Sequence, residues 1–245
     1  MKNKFLELVD YLPVRVDAFD NLLEDRSLER GSVILVSGGA GTGKTTFCIQ
    51  SLYQGALHGE RGIYLSFEEE PRHIRKHMRK NFGWDLAQLE KEGKLAIIKL
   101  DPIKVSRQIE QRIDQKKGLL EIKAEDLSFP FKPDRVCVDS LSALSIAFMG
   151  EATYRVYIKE LFDVLSDLNS VNLVISETEQ VPKQYSPTGF EEFLADGVIV
   201  LYNIQNSTKR ENALEILKLR SGKHEKKMVY YEITDSGIKF SFENK

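Results

Sequence analysis

The sequence is poor in the residues from which extracellular scaffolds and metal centres are built. Its 245 residues include two cysteines, four histidines and one tryptophan. Cys48 and Cys137 lie far apart inside apolar stretches, which favours buried thiols in a reducing compartment over a disulfide framework. Two cysteines and four histidines at these spacings cannot assemble a zinc site. These absences indicate an intracellular protein.

A strong net charge and a long apolar run are also missing. The formal net charge is −2, so nucleic acid could be bound only through a local patch. No stretch is apolar enough to span a bilayer, and no apolar run of a secretory signal follows the charged N-terminus. We therefore expect a soluble, cytoplasmic protein that does not bind membranes.

The sequence does contain a regular alternation of short apolar runs and helical patterns. The runs typical of buried parallel strands are 32–37, 62–67, 95–98, 135–139, 172–176 and 197–202. Apolar residues at three- and four-residue spacing predict helices over 44–58, 71–81, 104–117 and 152–169. Three further runs, 214–219, 228–233 and 238–242, follow one another without a helix, and 118–134 is expected to be a surface connection. The pattern predicts a single α/β domain over 1–245, with a mostly parallel sheet covered by helices on both faces and C-terminal antiparallel strands.

A phosphate-binding motif lies between the first strand and the first helix of this pattern. It reads Gly38-Gly39-Ala40-Gly41-Thr42-Gly43-Lys44-Thr45, followed by Thr46, and matches G-x-x-x-x-G-K-[ST]. Such a loop directs backbone N–H groups at phosphate oxygens, while Lys44 reaches the β- and γ-phosphates and the Thr45 hydroxyl ligates Mg²⁺. An ordinary glycine-rich turn does not require a lysine and a threonine at these offsets. The motif predicts binding of ATP or ADP with Mg²⁺.

Acidic residues follow two of the other predicted strands. Asp139 ends the run Arg135–Asp139, as a Walker B carboxylate does, and would hold Mg²⁺ through water; in isolation it could also be a turn cap. Glu68 and Glu69 follow another strand, where a carboxylate can orient and deprotonate the attacking water. With Glu70 they form an acidic triplet before Pro71, which also favours the start of a helix, so composition leaves both interpretations open.

Several motifs together resemble the KaiC-type ATPases of the RecA superfamily, from about Pro13 to Ile238. They are the loop and the Walker B run in this order, the segment from Ser66 through Gly83-Trp84-Asp85-Leu86 to Leu95, the segment Glu191–Asp196, and Glu215–Arg220. A lone domain of this type is similar to the single-domain KaiC-like ATPases of archaea. The resemblance implies a RecA-like fold that hydrolyses ATP to ADP and phosphate in a regulatory or signalling role. It also implies a homo-oligomeric ring, usually a hexamer, with nucleotide between neighbouring subunits.

The resemblance assigns roles to individual residues. Glu68, with Glu69 beside it, would activate the water. Lys218 and Arg220, on either side of Leu219, would reach the γ-phosphate from the adjacent subunit. Residues two apart on a strand share a face, which is consistent with this role, although two cations can also be solvated ends that protect an edge strand from aggregation.

Further positions follow from the same resemblance. His224 and Asp235 match residues that line the nucleotide from the neighbouring subunit, and a polar sensor of the γ-phosphate is expected within Ser176 to Glu179. The family includes a clock protein with two such domains, which phosphorylates itself on an adjacent serine–threonine pair in its second domain. That pair aligns with Glu192 and Phe193, neither of which can accept phosphate. Autokinase activity and a clock role are therefore disfavoured.

Two other functions remain open. One is a nucleotide-dependent switch that controls an unidentified protein partner and hydrolyses ATP slowly. The other is a RadA-like recombination paralogue that binds DNA, against which stand the near-neutral charge and the absence of a long basic loop after Asp139. The basic stripe of Arg72, Arg75, Lys76, Arg79 and Lys80 is predicted to be a solvated helix face rather than a nucleic-acid surface.

Overall fold

The computed structural model describes residues 10–115, 120, 122–123, 127–180 and 182–241. A 3-10 helix (Asp17–Leu22) follows the first strand. The other elements, in chain order, are β1 (Tyr11–Leu12), β2 (Leu28–Glu29), β3 (Val33–Gly38), α1 (Lys44–Leu57), β4 (Gly62–Ser66), α2 (Pro71–Phe82), α3 (Leu86–Lys91), β5 (Leu95–Lys99), α4 (Pro102–Gln115), β6 (Arg135–Asp139), α5 (Leu141–Ala147), α6 (Glu151–Asp167), β7 (Val171–Glu177), α7 (Glu191–Leu194), β8 (Gly197–Asn206), β9 (Lys209–Leu219), β10 (Val229–Thr234) and β11 (Gly237–Ser241).

The main sheet has nine strands in the order β11-β10-β9-β8-β3-β7-β6-β4-β5. Six neighbouring strands, β8, β3, β7, β6, β4 and β5, are parallel to one another. The other three strands extend the sheet beyond β8 through the antiparallel pairs β8–β9, β9–β10 and β10–β11. The expected fold class is confirmed. All the parallel strands therefore end at one edge of the sheet, which we call the carboxyl edge, and begin at the opposite amino edge.

Hydrophobic residues cover both faces of the sheet, as buried parallel strands require. One cluster joins α1 and α2 to residues such as Tyr64, Cys137 and Leu173, and the other joins α5 and α6 to residues such as Leu35, Val138 and Val174. Because side chains alternate along a strand, successive residues of β3, β6 and β7 contribute to opposite clusters. Both cysteines are buried and free. Among the described residues, no helix combines the length and apolar character needed to cross a membrane.

The structure corrects the sequence-based boundaries in several places. Helices α3 and α5 were not predicted, because six and seven residues are too few to show a clear periodicity. Helix α3 begins at a local signal instead, where the Asp85 side chain accepts a hydrogen bond from the Gln88 N–H at 3.1 Å. The segment 118–134 is not only a surface connection, since Leu120 and Ile122 belong to the core. The predicted ends at 116–117 and 242, and residues 118–119, 121 and 124–126, lie outside the described residues.

Candidate nucleotide site

The phosphate loop connects the end of β3 to the start of α1 at the carboxyl edge. Gly41 and Gly43 have φ values of 77° and 87°, a left-handed region that favours glycine. A Cβ atom on Gly43 would lie 2.8 Å from the Ile233 Cδ1 atom, so the Ile233 side chain of β10 would have to shift to admit it. Helix α1 has no side-chain cap, and its first N–H groups are left to bind an anion.

The Lys44 side chain is folded back onto the loop. Its Nζ atom donates a hydrogen bond to the Gly39 carbonyl at 2.9 Å, and the Thr42 hydroxyl donates to the same oxygen at 2.9 Å. Burial lowers the pKa of Lys44, while the carboxylates of Glu177 and Asp139 act in the opposite direction. A buried ammonium group held by one neutral carbonyl is poised to exchange that oxygen for a phosphate oxygen.

Asp139, at the end of β6, is brought next to the loop by the order of the strands. Its Oδ2 atom accepts hydrogen bonds from the Thr45 hydroxyl, at 3.3 Å, and from the Tyr64 hydroxyl. Burial raises the pKa of Asp139 to about 6, although the hydrogen bonds from Tyr64 and Thr45 lower it. Tyr64 was not predicted as a site residue, because a tyrosine in an apolar strand is typical of a hydrophobic core.

The residues around Asp139 fit a magnesium ion. A hydroxyl and a carboxylate lie in contact, and both are oxygen ligands of the kind that Mg²⁺ prefers. Within the described part of the chain, no group of three or more His, Cys, Asp or Glu residues could hold a metal ion. The remaining ligands would therefore come from phosphate and water, which is the usual arrangement for Mg²⁺ in nucleotide sites.

The two predicted catalytic glutamates have different surroundings. Glu68 Oε1 accepts a hydrogen bond from the Ser140 hydroxyl at 2.6 Å, which places this carboxylate beside Asp139. Glu69 Oε1 lies 3.0 Å from His77 Nδ1 on α2, and the Glu69 N–H donates to the Ser66 hydroxyl at 2.9 Å. Glu68 is therefore directed towards the nucleotide site, whereas Glu69 is tied to the neighbouring helix.

The segment after β7 contacts the loop from the other side. The Thr178 N–H donates to the Gly38 carbonyl at 3.1 Å, and Gln180 Nε2 donates to the Ala40 carbonyl at 2.9 Å. Ser176, at the start of the range expected to hold the sensor, is fully buried on the strand face of Val174. Among the polar groups near the loop, sequence reasoning missed Gln180, whose role depends on the path of the chain after the strand.

Lys218 and Arg220 lie at the amino edge, away from the loop of their own chain. The Lys218 Nζ atom donates to the Glu192 and Ala195 carbonyls at 2.9 and 2.6 Å. The Arg220 side chain, 53% exposed, donates to the Phe193 carbonyl at 2.6 Å and forms a 3.5 Å ion pair with Asp196. Burial and the charge of Arg220 lower the pKa of Lys218. The structure brings these two cations together, and it separates them from Lys44.

The remaining expected contacts lie in different connections. His224 lies between β9 and β10 and forms an isolated antiparallel bridge with Leu23. Its Nδ1 atom is buried and has no hydrogen-bond partner. Asp235 lies in the exposed turn between β10 and β11, next to the strand whose Ile233 packs on Gly43. Leu219 packs against the core. The structure does not gather these residues into one cluster, and their nucleotide contacts remain predictions.

The basic stripe on α2 is partly neutralised within the chain. Arg75 forms a 2.5 Å ion pair with Glu90, and Arg79 lies 3.8 Å from Asp85. The opposite side of the helix buries Ile74 and Met78, as expected for an amphipathic helix.

Comparison with known proteins identifies the family. Residues 12–245 match the family described as "ATPase: KaiC". The circadian clock oscillator protein KaiC of Synechococcus elongatus is 34% identical over 230 residues, which cover 91% of this chain and 42% of that protein. The circadian clock protein KaiC3 of a Synechocystis strain is 34% identical over 218 residues, 89% of this chain and 43% of that protein. The chain thus spans less than half of the length of these curated relatives.

A solved structure extends the similarity to the fold. The crystal structure of a KaiC-like protein from the hyperthermophilic archaeon Pyrococcus horikoshii superposes with a TM-score of 0.77 at 30% identity, and covers 95% of this chain and 99% of that one. The chain belongs to the KaiC family of ATPases, within the RecA superfamily.

Proposed function

We propose that this KaiC-family chain is a single-domain, cytoplasmic, Mg²⁺-dependent ATPase whose active site is completed by a neighbouring copy. Each chain would contribute its loop to one nucleotide and its two cations to the next one around a ring, a hexamer by analogy with the family. The ATPase cycle would serve a regulatory or signalling role.

The separation of the two half-sites is the observation that carries the proposal. The Arg220 N–H is bonded to the Asp196 carbonyl, and the Asp196 N–H to the Val33 carbonyl, so Arg220 is level with the start of β3. The loop follows the end of β3 at Gly38, which is about 17 Å farther along the strand at 3.3 Å per residue. The cations therefore lie too far away to reach a γ-phosphate in their own chain, whereas a head-to-tail contact would bring them to the loop of the next copy.

The contacts of the loop support a division of roles. Lys44 and the N–H groups of Gly38–Thr46 would bind the phosphates, and Glu68, held by Ser140, would orient and deprotonate the attacking water. Thr45 would ligate Mg²⁺ directly and Asp139 through water. The ion would neutralise charge on the β- and γ-phosphates. Lys218 and Arg220 would exchange their backbone carbonyl partners for phosphate oxygens of the neighbour, which are stronger acceptors for a cation.

The proposal can be tested with a mixture of two inactive variants. Arg220→Ala should bind nucleotide normally but lose about 10³-fold or more in turnover, as arginine fingers do. Lys44→Ala should bind nucleotide poorly at its own loop but still provide Arg220 to the site of a neighbouring chain. In a head-to-tail ring, each site takes its loop from one chain and its arginine from the next. After random equimolar mixing, about half of the loops and about half of the neighbouring arginines are intact, so about a quarter of the interfaces would be restored.

Arg210→Ala is the matched control, since Arg210 lies at the other end of β9 and bonds to Asn203 at 2.7 Å. It should leave turnover unchanged. Normal turnover by Arg220→Ala, or a mixture no more active than its components, would show that the active site is not completed in trans.

A second candidate is a nucleotide-dependent switch that acts on a protein partner. Ile146 and Met149, in the segment that follows the Asp139 strand, are 86% and 94% exposed, which is unusual for large apolar side chains. A switch would show slow turnover that is independent of protein concentration and rises steeply when the partner is added. Turnover that rises with the concentration of the chain alone would favour the oligomeric ATPase.

A further inference from the structure

Tyr64 is a fully buried tyrosine whose hydroxyl group is directed at the nucleotide site. It lies in β4, opposite Cys137 of β6, and is 1% exposed. Asp139 follows Cys137 by two residues and lies on the same strand face. The phenol ring reaches along this face, and its hydroxyl donates a hydrogen bond to Asp139 Oδ2. The aromatic ring packs in the core that α1 covers, so the ring alone would satisfy the packing.

Packing therefore does not account for the hydroxyl group of Tyr64. A phenylalanine would fill the same space without bringing a polar group into the core, and a buried phenol is tolerated only when it is hydrogen-bonded. The partner it has found is the carboxylate of the Walker B strand. Because the bond is to a carboxylate, it is stronger than a bond between two neutral groups.

The same carboxylate oxygen also accepts the hydroxyl proton of Thr45, at 3.3 Å. Asp139 Oδ2 is thus held from two directions, by Tyr64 from the core and by Thr45 from the start of α1. These two hydroxyls fix the plane of the carboxylate and leave Oδ1 to accept a hydrogen bond from a metal-bound water. If Thr45 ligated a metal ion through an oxygen lone pair, its O–H could still be donated to Asp139, so Tyr64 and Thr45 together would hold the carboxylate.

We propose that Tyr64 is a positioning residue that holds Asp139 in the orientation required by the magnesium ion of the nucleotide complex. The inference rests on the proposed function, since it assigns the metal to Thr45 and Asp139. Tyr64 does not touch nucleotide. Its contribution should therefore appear in the coupling between Mg²⁺ and nucleotide, and not in the affinity for metal-free nucleotide.

The test is a Tyr64→Phe variant of the full chain, probed with a fluorescent ADP analogue in Mg²⁺ and in EDTA. The wild-type protein should bind the analogue more tightly with Mg²⁺, and the ratio of the two dissociation constants measures the coupling. In Tyr64→Phe the coupling should fall on the order of 10-fold or more, the usual effect of removing the group that orients a metal ligand. The dissociation constant in EDTA should stay within about twofold of wild type, because no phosphate contact is removed.

Two further variants make the result specific. Tyr157→Phe removes the hydroxyl of another buried tyrosine, in the cluster on the opposite face of the sheet, and should leave the coupling intact. In an Asp139→Ala background, Tyr64→Phe should produce no further loss, because the tyrosine acts through Asp139.

Three results would overturn the inference: unchanged coupling in Tyr64→Phe, an equal loss of affinity with and without Mg²⁺, or a full additional loss in the Asp139→Ala background. An absence of Mg²⁺-dependent binding in the wild-type protein would instead count against the proposed function. The two failures are therefore distinguishable.

Discussion

The two edges of the parallel sheet carry two different kinds of polar site. At the carboxyl edge, side chains from separate segments of the chain bond to one another: Thr45 and Tyr64 to Asp139, and Ser140 to Glu68. At the amino edge, Lys218 and Arg220 bond mainly to backbone carbonyls of the α7 segment. The first site has a partly buried acid, Asp139, and an exposed one, Glu68, which suit a cation, and the second has partly exposed cations, which suit an anion.

Under the proposed function, this difference is the reason why neither edge would make a complete active site alone. The strand ends gather the groups that would bind phosphate and metal, since parallel strands place all their carboxyl ends together. The cations lie on an antiparallel strand that runs in the opposite direction, and so they emerge at the other edge. Four predictions can break or sharpen this contrast, and they follow in order of decreasing effect.

The largest effect is expected at Glu68. Glu68→Gln keeps the hydrogen bond from Ser140 but removes the base, so turnover should fall by about 10²- to 10⁴-fold with nucleotide affinity unchanged. Steady-state phosphate release and nucleotide titration measure the two quantities. Glu69→Gln is the matched variant and should cost much less, because Glu69 pairs with His77. A larger loss in Glu69→Gln would reverse the roles of the two residues.

Lys44→Ala should have the next largest effect, and it should act on binding. The loss of a buried charged contact to phosphate would weaken ATP and ADP affinity on the order of 100-fold, or about 3 kcal/mol. Equilibrium titration with a fluorescent analogue would measure it. Lys94→Ala removes an exposed lysine paired with Glu92 and should have no effect. Nucleotide affinity retained in Lys44→Ala would exclude the loop as the main binding determinant.

Asp139→Asn should stabilise the nucleotide-free protein while it weakens Mg²⁺ coupling. Burial raises the pKa of Asp139 from 3.8 to about 6, so above pH 6 the folded protein holds an ionised carboxylate that the unfolded chain hydrates better. That cost, about 3 kcal/mol at pH 8, falls as the pH drops through 6 and disappears below 3.8, where both states are protonated.

The stability gain of Asp139→Asn should therefore be largest at pH 8 and absent near pH 4, as measured by denaturant unfolding. Asp163→Asn is the control, because its side chain is 61% exposed and pairs with Lys159. A gain that does not depend on pH would show that the burial of charge at Asp139 is not its cause.

The smallest effect is expected on stability, for substitutions at the amino edge. Lys218→Met removes two hydrogen bonds to carbonyls of the α7 segment and should lower the free energy of unfolding by about 1 kcal/mol. Arg220→Ala should cost less, since its side chain is 53% exposed. Thermal unfolding of the isolated chains compares them. If Arg220→Ala is the more destabilising variant, its role within the chain is mainly structural.

The strongest sequence signals were the local ones. The glycine-rich loop, the apolar runs and the C-terminal hairpins depend on residues that are close in sequence, and the structure shows each of them. The 3-10 helix, α3 and α5 were missed because they are short, and the burial of Leu120 and Ile122 depends on distant partners. Gln180 and Tyr64 were also missed, because their hydrogen bonds join residues 140 and 75 positions away.

The sequence by itself determined that β3 leads into a phosphate-binding loop and that a carboxylate ends β6, because these motifs are written in consecutive residues. Only the tertiary structure decided which of these groups meet. The order of the strands in the sheet places Tyr64, Thr45 and Asp139 in one cluster, and the antiparallel direction of β9 carries Lys218 and Arg220 to the opposite edge. The physical reason is that strand pairing is a non-local choice, set by hydrogen bonds and burial between segments far apart in the chain.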